Sequence, residues 1–138
     1  MRDSGQLCTF VVSGQRFGIA ATHVREVIRH EAARPVPLAP AGVTGVTNVR
    51  GEVLAVIDLA VRLGLPAGDR RLLLVFGART HVAGLLIDHA GDVLGVGDAA
   101  PAALPAWVPP EAAGLIRAAF SLPDGPLLEL DPAALVSG

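Results

Sequence analysis

The chain has 138 residues, of which 51% are apolar and only 17% charged, with a formal net charge of −2. This length suits one domain, or two very small barrels that share a core, and excludes a multidomain enzyme, while the low charge excludes a disordered chain. All the basic residues are arginines scattered along the chain, which predicts neither a nucleic-acid-binding face nor a polybasic membrane-binding segment.

The single cysteine, Cys8, excludes an internal disulfide and a cysteine-based zinc site. It lies in an apolar run, where a buried core thiol is favoured over a reactive one. No long apolar stretch follows the N-terminal residues, and none elsewhere is long enough to span a bilayer. We therefore expect no signal peptide, no membrane insertion and a cytoplasmic location.

The chain opens with two apolar runs within residues 7–20 that meet near Gly14, which predicts a hairpin. Thr22 can then cap a short helix, because the apolar residues within 24–28 fall at i, i+3 and i+4. Three prolines within residues 34–40 fix the backbone and remove hydrogen-bond donors, which predicts an extended connection.

Residues 45–59 have strand composition around a turn at Arg50-Gly51, which predicts a second hairpin. One helical turn over residues 59–63 should end at Gly64. Residues 66–69, Pro-Ala-Gly-Asp, form a linker and a candidate boundary between two subdomains.

The second half predicts a third hairpin over residues 71–87 and a short strand over residues 92–96. Residues 98–113 are rich in alanine and proline, which is typical of a loop, and Trp107 can anchor them. A final pair of strands surrounds a Pro-Asp-Gly-Pro turn, and Asp131 can cap a terminal helical turn. Short strands at this spacing predict an all-β fold, a barrel or paired barrels.

Catalytic motifs are absent from the sequence. Residues 95–100 match a dinucleotide fingerprint in letters only, because prolines follow where a helix would have to receive the pyrophosphate. Cys8 with a distant histidine, as nucleophile and base, is disfavoured because a core strand suits neither. We expect no cofactor and no enzyme activity.

Ionisable side chains offer two further alternatives. His23 and Glu26 would be neighbours on the predicted helix, but two ligands do not make a metal site, and His81 and His89 should lie at the exposed ends of a strand. The aspartates at strand ends are expected to cap turns rather than to act as acid and base; they are Asp58, Asp88 and Asp92.

Arg50 lies at the tip of an otherwise apolar hairpin, and Glu26 is expected near the same end. If the two pair, the guanidinium becomes a rigid donor fork; otherwise Arg50 is an ordinary surface arginine. The low charged fraction also predicts exposed apolar patches, which usually mark protein interfaces.

Residues 45–59 read Gly-Val-Thr-Asn-Val-Arg-Gly and then an apolar strand ending in Ile-Asp-Leu. This stretch resembles the signature of CheW-like domains, in which G-V-x-N-x-R-G runs into such a strand. Other segments agree with the family in order and spacing; they are residues 17–19, 24–27, 36–40, 82–94 and 127–135.

The resemblance implies two small SH3-like five-stranded β-barrels packed together, and a non-catalytic adaptor between a chemoreceptor (a methyl-accepting chemotaxis protein) and a CheA-type histidine kinase. It also implies that Glu26 and Arg50 pair beside the receptor groove. The receptor-binding residues carried over by the motif are Val24, Glu26, Val27, Gly45, Asn48 and Arg50. The kinase-binding residues carried over are Gly84 and Val93.

We expect one domain over residues 1–138, with subdomains of about 14–65 and 70–122 completed by the terminal segments. The chain should be a monomer in isolation. Three alternatives remain open: a scaffold that binds the kinase but no receptor, a barrel that binds a small ligand or metal, and a member of a receptor–kinase array that serves surface motility.

Overall fold

The computed structural model describes residues 5–30, 42–78 and 80–137. Within these ranges the chain forms eleven strands and two short α-helices. In chain order they are β1 (Gln6–Val12), β2 (Gln15–Ala20), β3 (Val24–Arg29), β4 (Val43–Val49), β5 (Glu52–Ile57), α1 (Leu59–Leu63), β6 (Leu72–Ala78), β7 (His81–Ile87), β8 (His89–Gly95), β9 (Ala100–Pro101), β10 (Ile116–Leu122), β11 (Gly125–Leu130) and α2 (Pro132–Val136).

The strands form two sheets, which confirms the predicted all-β class. One sheet has six strands in the order β8-β1-β2-β11-β10-β9, and the other has five in the order β3-β6-β7-β5-β4. Most neighbouring strands are antiparallel, but β2 pairs with β11 and β5 pairs with β7 in parallel. These parallel pairs join strands far apart in the sequence, so each sheet contains strands from both halves of the chain.

Strand β6, near the middle of the five-stranded sheet, is apolar on both faces. Its Leu73 and Val75 pack within this sheet against Leu54 of β5, whereas the alternate residues Leu74 and Phe76 pack toward the six-stranded sheet. A strand that is buried on both faces has a continuous apolar sequence. This explains the run of apolar residues that marks β6 in the sequence.

A layer of buried side chains lies between the two sheets, and we call it the inter-sheet core. It combines Phe10 and Phe17 of the six-stranded sheet with Phe76 of the five-stranded sheet. The rings of Phe10 and Phe17 are stacked with centroids 6.0 Å apart. Trp107 packs against the same layer, as predicted for the 98–113 segment. That segment is not all loop, because it contains β9 and the start of a 3₁₀ helix over Pro110–Leu115.

The predicted helix over residues 24–28 is wrong, because these residues form strand β3. The pairing of β3 with β6 shifts by one residue between Val24 and Glu26, as in a β-bulge. Val24 therefore packs against the inter-sheet core, Ile28 packs within the five-stranded sheet, and Val27 is exposed. The bulge interrupts strict alternation and produces an apolar spacing that mimics a helix.

Both predicted helical turns form with the expected caps. Asp58 accepts a 3.0 Å hydrogen bond from the Ala60 N–H at the start of α1, and Gly64 ends that helix with a left-handed φ of 67°. Asp131 accepts from the Ala133 N–H at 3.0 Å and caps α2. Turn chemistry was therefore readable from the sequence.

The sheets divide the chain differently from the predicted subdomain limits. Strands β6 and β7 follow the 66–69 segment, yet they pair with β3 and β5 of the five-stranded sheet. The limits 14–65 and 70–122 do not coincide with the two sheets. The single domain over 1–138 and these subdomain limits stay predictions. The predicted extended connection over 34–40 lies outside the described residues.

A buried arginine joins three distant segments where the chain passes from one sheet to the other. The Arg70 side chain is 2% exposed, and its Nε lies 3.3 Å from Oδ2 of Asp88, the residue between β7 and β8. Arg70 Nη2 donates to Ser13 Oγ and to the Pro66 carbonyl. The same Asp88 oxygen accepts the Ser13 N–H at 2.7 Å.

We expect Asp88→Asn to lower the free energy of unfolding by about 3 kcal/mol, because it leaves the buried Arg70 charge without its counter-ion. Urea unfolding measures this loss. The matched control is Asp124→Asn, since Asp124 pairs with Arg16 at 2.7 Å but is 74% exposed, and its loss should cost less than about 1 kcal/mol. Equal losses in both variants would contradict a structural role for the buried pair.

Candidate functional site

The predicted receptor-binding residues lie at the two outer strands of the five-stranded sheet. Val24, Glu26 and Val27 belong to β3, and Gly45 and Asn48 belong to β4. Arg50 lies in the turn that follows β4. Gly45 is buried, next to a register shift in the pairing of β4 with β5, so it shapes the strand and presents no surface.

Arg50 occupies an unusual backbone conformation at the tip of the β4–β5 hairpin. Arg50 and Gly51 both have positive φ, 54° and 85°, and they separate the paired residues Val49 and Glu52. This is the pattern of a type I′ turn, in which Asn or Gly is preferred at the first central position. The side-chain Oδ1 of Asn48 accepts the Gly51 N–H at 3.0 Å. Asn48 thus supports the turn that carries Arg50.

Glu26 accepts hydrogen bonds from Arg50 with both of its carboxylate oxygens. Arg50 Nε donates to Oε2 at 2.9 Å and Nη2 donates to Oε1 at 2.8 Å. The hydrogen bond with Arg50 holds the pKa of Glu26 below its ordinary value, and the same bond raises the pKa of Arg50. A bidentate contact of this kind fixes the plane of the guanidinium.

The pair is open to solvent on the arginine side. The Arg50 side chain is 76% exposed, against 28% for Glu26. Because an exposed ion pair contributes little to folding, this contact serves mainly to orient Arg50. The remaining nitrogen, Nη1, has no hydrogen-bond partner among the residues that the structure describes.

Sequence reasoning missed a second ion pair beside the first. Arg25 Nη1 lies 3.4 Å from Glu52 Oε1. The signal was present in the sequence, because basic and acidic residues alternate at 25 and 26 and again at 50 and 52. It could be read only once residues 24–28 were known to be a strand that faces the hairpin tip.

The two predicted kinase-binding residues lie on different sheets. Gly84 is in β7 of the five-stranded sheet and is buried, and an added Cβ would lie 2.6 Å from the Leu73 side chain. Val93 is in β8, an outer strand of the six-stranded sheet, and is 54% exposed. Only Val93 offers a side chain at the surface.

The other candidate sites give no cluster. Cys8 is partly buried on β1, and desolvation raises the pKa of its thiol, which disfavours a nucleophile. His81 and His89 are exposed at the first positions of β7 and β8. Across residues 5–30, 42–78 and 80–137, no group of three His, Cys, Asp or Glu side chains is arranged to hold a metal ion.

None of the helices in these ranges has the length and apolar character needed to cross a bilayer.

Comparison with known families decides the relationship. A sequence model described as the CheW-like domain matches residues 6–138. The chain belongs to the CheW-like domain family. CheW proteins are non-catalytic scaffolds.

Several curated proteins are similar in sequence. The chain is 40% identical over 96 residues to the chemotaxis protein CheW of Rhizobium meliloti, an alignment that covers 67% of this chain and 62% of the relative. It is 36% identical over 90 residues to protein FrzA of Myxococcus xanthus, covering 63% of this chain and 56% of the relative. The chain thus spans about three fifths of the length of the curated relatives it matches.

A solved structure shares the fold. The crystal structure of the scaffolding protein TtCheW from Thermoanaerobacter tengcongensis superimposes with a TM-score of 0.78, over 93% of this chain and 89% of that chain, at 18% identity. At this identity the likeness speaks for the fold alone. The family resemblance predicted two five-stranded barrels packed together; the structure has two sheets of six and five strands, which is consistent with that fold.

We expect Gly84→Ala to destabilise the chain by about 1–3 kcal/mol, because the new methyl group would overlap the buried Leu73 side chain. The control is Gly95→Ala on β8, where an added Cβ meets nothing within 4 Å. Thermal and urea unfolding measure both. A Gly84→Ala variant as stable as the control would contradict the close packing at this position.

Proposed function

We propose that this chain is a scaffold that couples the cytoplasmic tip of a chemoreceptor to a CheA-type histidine kinase in a signalling array. Family membership supports the scaffold, and the names of the relatives support a role in chemotaxis. The receptor and the kinase are our inference from the residues that match the family's motif. The same inference gives the chain a cytoplasmic location and a monomeric state in isolation.

The oriented and exposed Arg50 carries the receptor side of the proposal. Glu26 binds the Nε and Nη2 edge of the guanidinium and leaves Nη1 available to a partner. Residues that carry binding energy at protein interfaces are often arginines whose geometry is fixed in advance. A left-handed conformation is costly for a residue other than Gly, and such strain is usually kept for function.

The partner chemistry follows from this geometry. Nη1 can donate to a carboxylate or to a backbone carbonyl, while Val27, next to Glu26 on β3, and Val53, three residues after Arg50 on β5, are exposed. A receptor helix that presents both an acidic and an apolar side chain would satisfy these groups. A contact of about 800 Å² per partner with micromolar affinity, near −8 kcal/mol, would suffice in an array where several such contacts act together.

The kinase side rests on Val93. It is the one predicted kinase-binding residue with an exposed side chain, and it lies on an outer strand of the six-stranded sheet. Arg50 belongs to the other sheet, so the two proposed partners would approach different sheets. One scaffold could then hold both partners at the same time.

We expect Arg50→Asn to fold as well as the original chain, because Asn is preferred at this turn position, and to bind the receptor at least about tenfold more weakly, because the donor fork is lost. Calorimetric titration into a cytoplasmic hairpin fragment of a chemoreceptor from the same genome measures the affinity. Kinase binding serves as the internal control and should be unchanged. Full receptor binding by a folded Arg50→Asn protein would remove Arg50 from the interface.

We expect Val93→Ser to weaken binding to the regulatory domain of the CheA-type kinase from the same genome by about tenfold, because it removes an apolar contact. Val61→Ser on α1 is the matched control, since Val61 is 57% exposed and Val93 is 54% exposed. Equal weakening in both variants would count against β8 as the kinase surface. Kinase binding without receptor binding would favour the alternative scaffold that engages the kinase alone.

A further inference from the structure

The two outer strands of the five-stranded sheet are connected to each other by side-chain contacts. In the described residues β3 pairs only with β6 and β4 pairs only with β5, which makes β3 and β4 the first and last strands of the sheet. The Glu26–Arg50 contact nevertheless joins β3 to the turn after β4. The sheet therefore curls until its ends meet at a junction made by side chains, which we call the seam.

Two ion pairs of opposite polarity cross the seam side by side. On β3 a basic residue precedes an acidic one, Arg25 and Glu26; on the hairpin a basic residue, Arg50, comes two positions before an acidic one, Glu52. The second pair, Arg25 with Glu52, has a nitrogen–oxygen distance of 3.4 Å. A displacement of the hairpin along β3 would separate both pairs and bring like charges together, so the charges specify one alignment.

Arg25 also lies near the neighbouring strand β6. A Cβ built on Gly77 of β6 would lie 3.8 Å from Arg25 Nε and 3.9 Å from Nη2. The guanidinium thus lies beside Gly77 and reaches Glu52 from that position, although the Arg25 side chain is 54% exposed. A single exposed ion pair contributes little to the free energy of folding, so its effect is to be sought in the position of the hairpin tip.

We propose that Arg25 and Glu52 are positioning residues, which hold the hairpin tip at the distance from β3 at which Glu26 can accept both hydrogen bonds from Arg50. Glu52 directly follows the turn that contains Arg50 and Gly51, so a contact at Glu52 restrains the tip itself. The proposal deepens the receptor role proposed for Arg50 and rests on it for its consequence in binding. Its structural part concerns the free protein.

The test uses Glu52→Gln in the free protein and two NMR signals. The first is the pKa of Glu26, followed through its side-chain carboxyl carbon. If the hydrogen bonds from Arg50 to Glu26 weaken, the pKa of Glu26 should rise toward the ordinary glutamate value. Removal of a nearby negative charge would by itself lower it. The sign of the change therefore separates positioning from simple electrostatics.

The second signal is the exchange of the Arg50 Nε proton with water, since this proton lies in the 2.9 Å bond to Glu26. In Glu52→Gln we expect exchange to be roughly two- to fivefold faster, the effect of losing one exposed ion pair.

The matched control is Asp69→Asn, which removes the exposed ion pair of Asp69 with Arg71 just before β6. This substitution should change neither signal. A Glu26 pKa that falls or stays constant in Glu52→Gln, or an unchanged exchange rate, overturns the positioning role. Neither result depends on a partner. If Arg50→Asn still loses receptor binding, that outcome leaves the proposed function standing without the positioning pair.

Discussion

A layer of apolar side chains lies between the two sheets, and the rest of the structure depends on it. Phe10, Phe17 and Phe76 are buried in it, and the five-stranded sheet is also apolar on its other face. Because a central strand such as β6 is largely buried on both sides, most of its side chains have no surface to offer a partner. The two residues that we propose as partner contacts lie elsewhere, Arg50 in a turn and Val93 on an outer strand.

Local signals in the sequence predicted local structure well. The hairpins followed from their turn residues, and the caps at Asp58 and Asp131 followed from side chains that accept backbone N–H groups. Two features were not local. One is the bulge in β3, which arises where β3 pairs with β6 and gives the strand an apolar spacing like that of a helix. The other is the parallel pairing of β2 with β11 and of β5 with β7, which places strands from both halves of the chain in each sheet. Such long-range pairings leave no local periodicity to read.

The site divides in the same way. Family resemblance supplied Glu26 and Arg50, and the structure brings them into contact. The resemblance could not reveal that Gly84 is buried, because its burial against Leu73 depends on packing between strands. Arg25 was missed for a similar reason, since its partner Glu52 lies 27 positions away and becomes its neighbour only when the sheet curls.

The seam has a further consequence for self-association. The outer strands of a sheet carry unpaired backbone groups, and these can template the addition of a strand from another molecule. Charged side chains on such strands are a common protection, and here Arg25, Glu26 and Arg29 follow one another along β3. Glu26, which orients Arg50, is thus also one of the charges that protect β3 against pairing with a strand of another molecule.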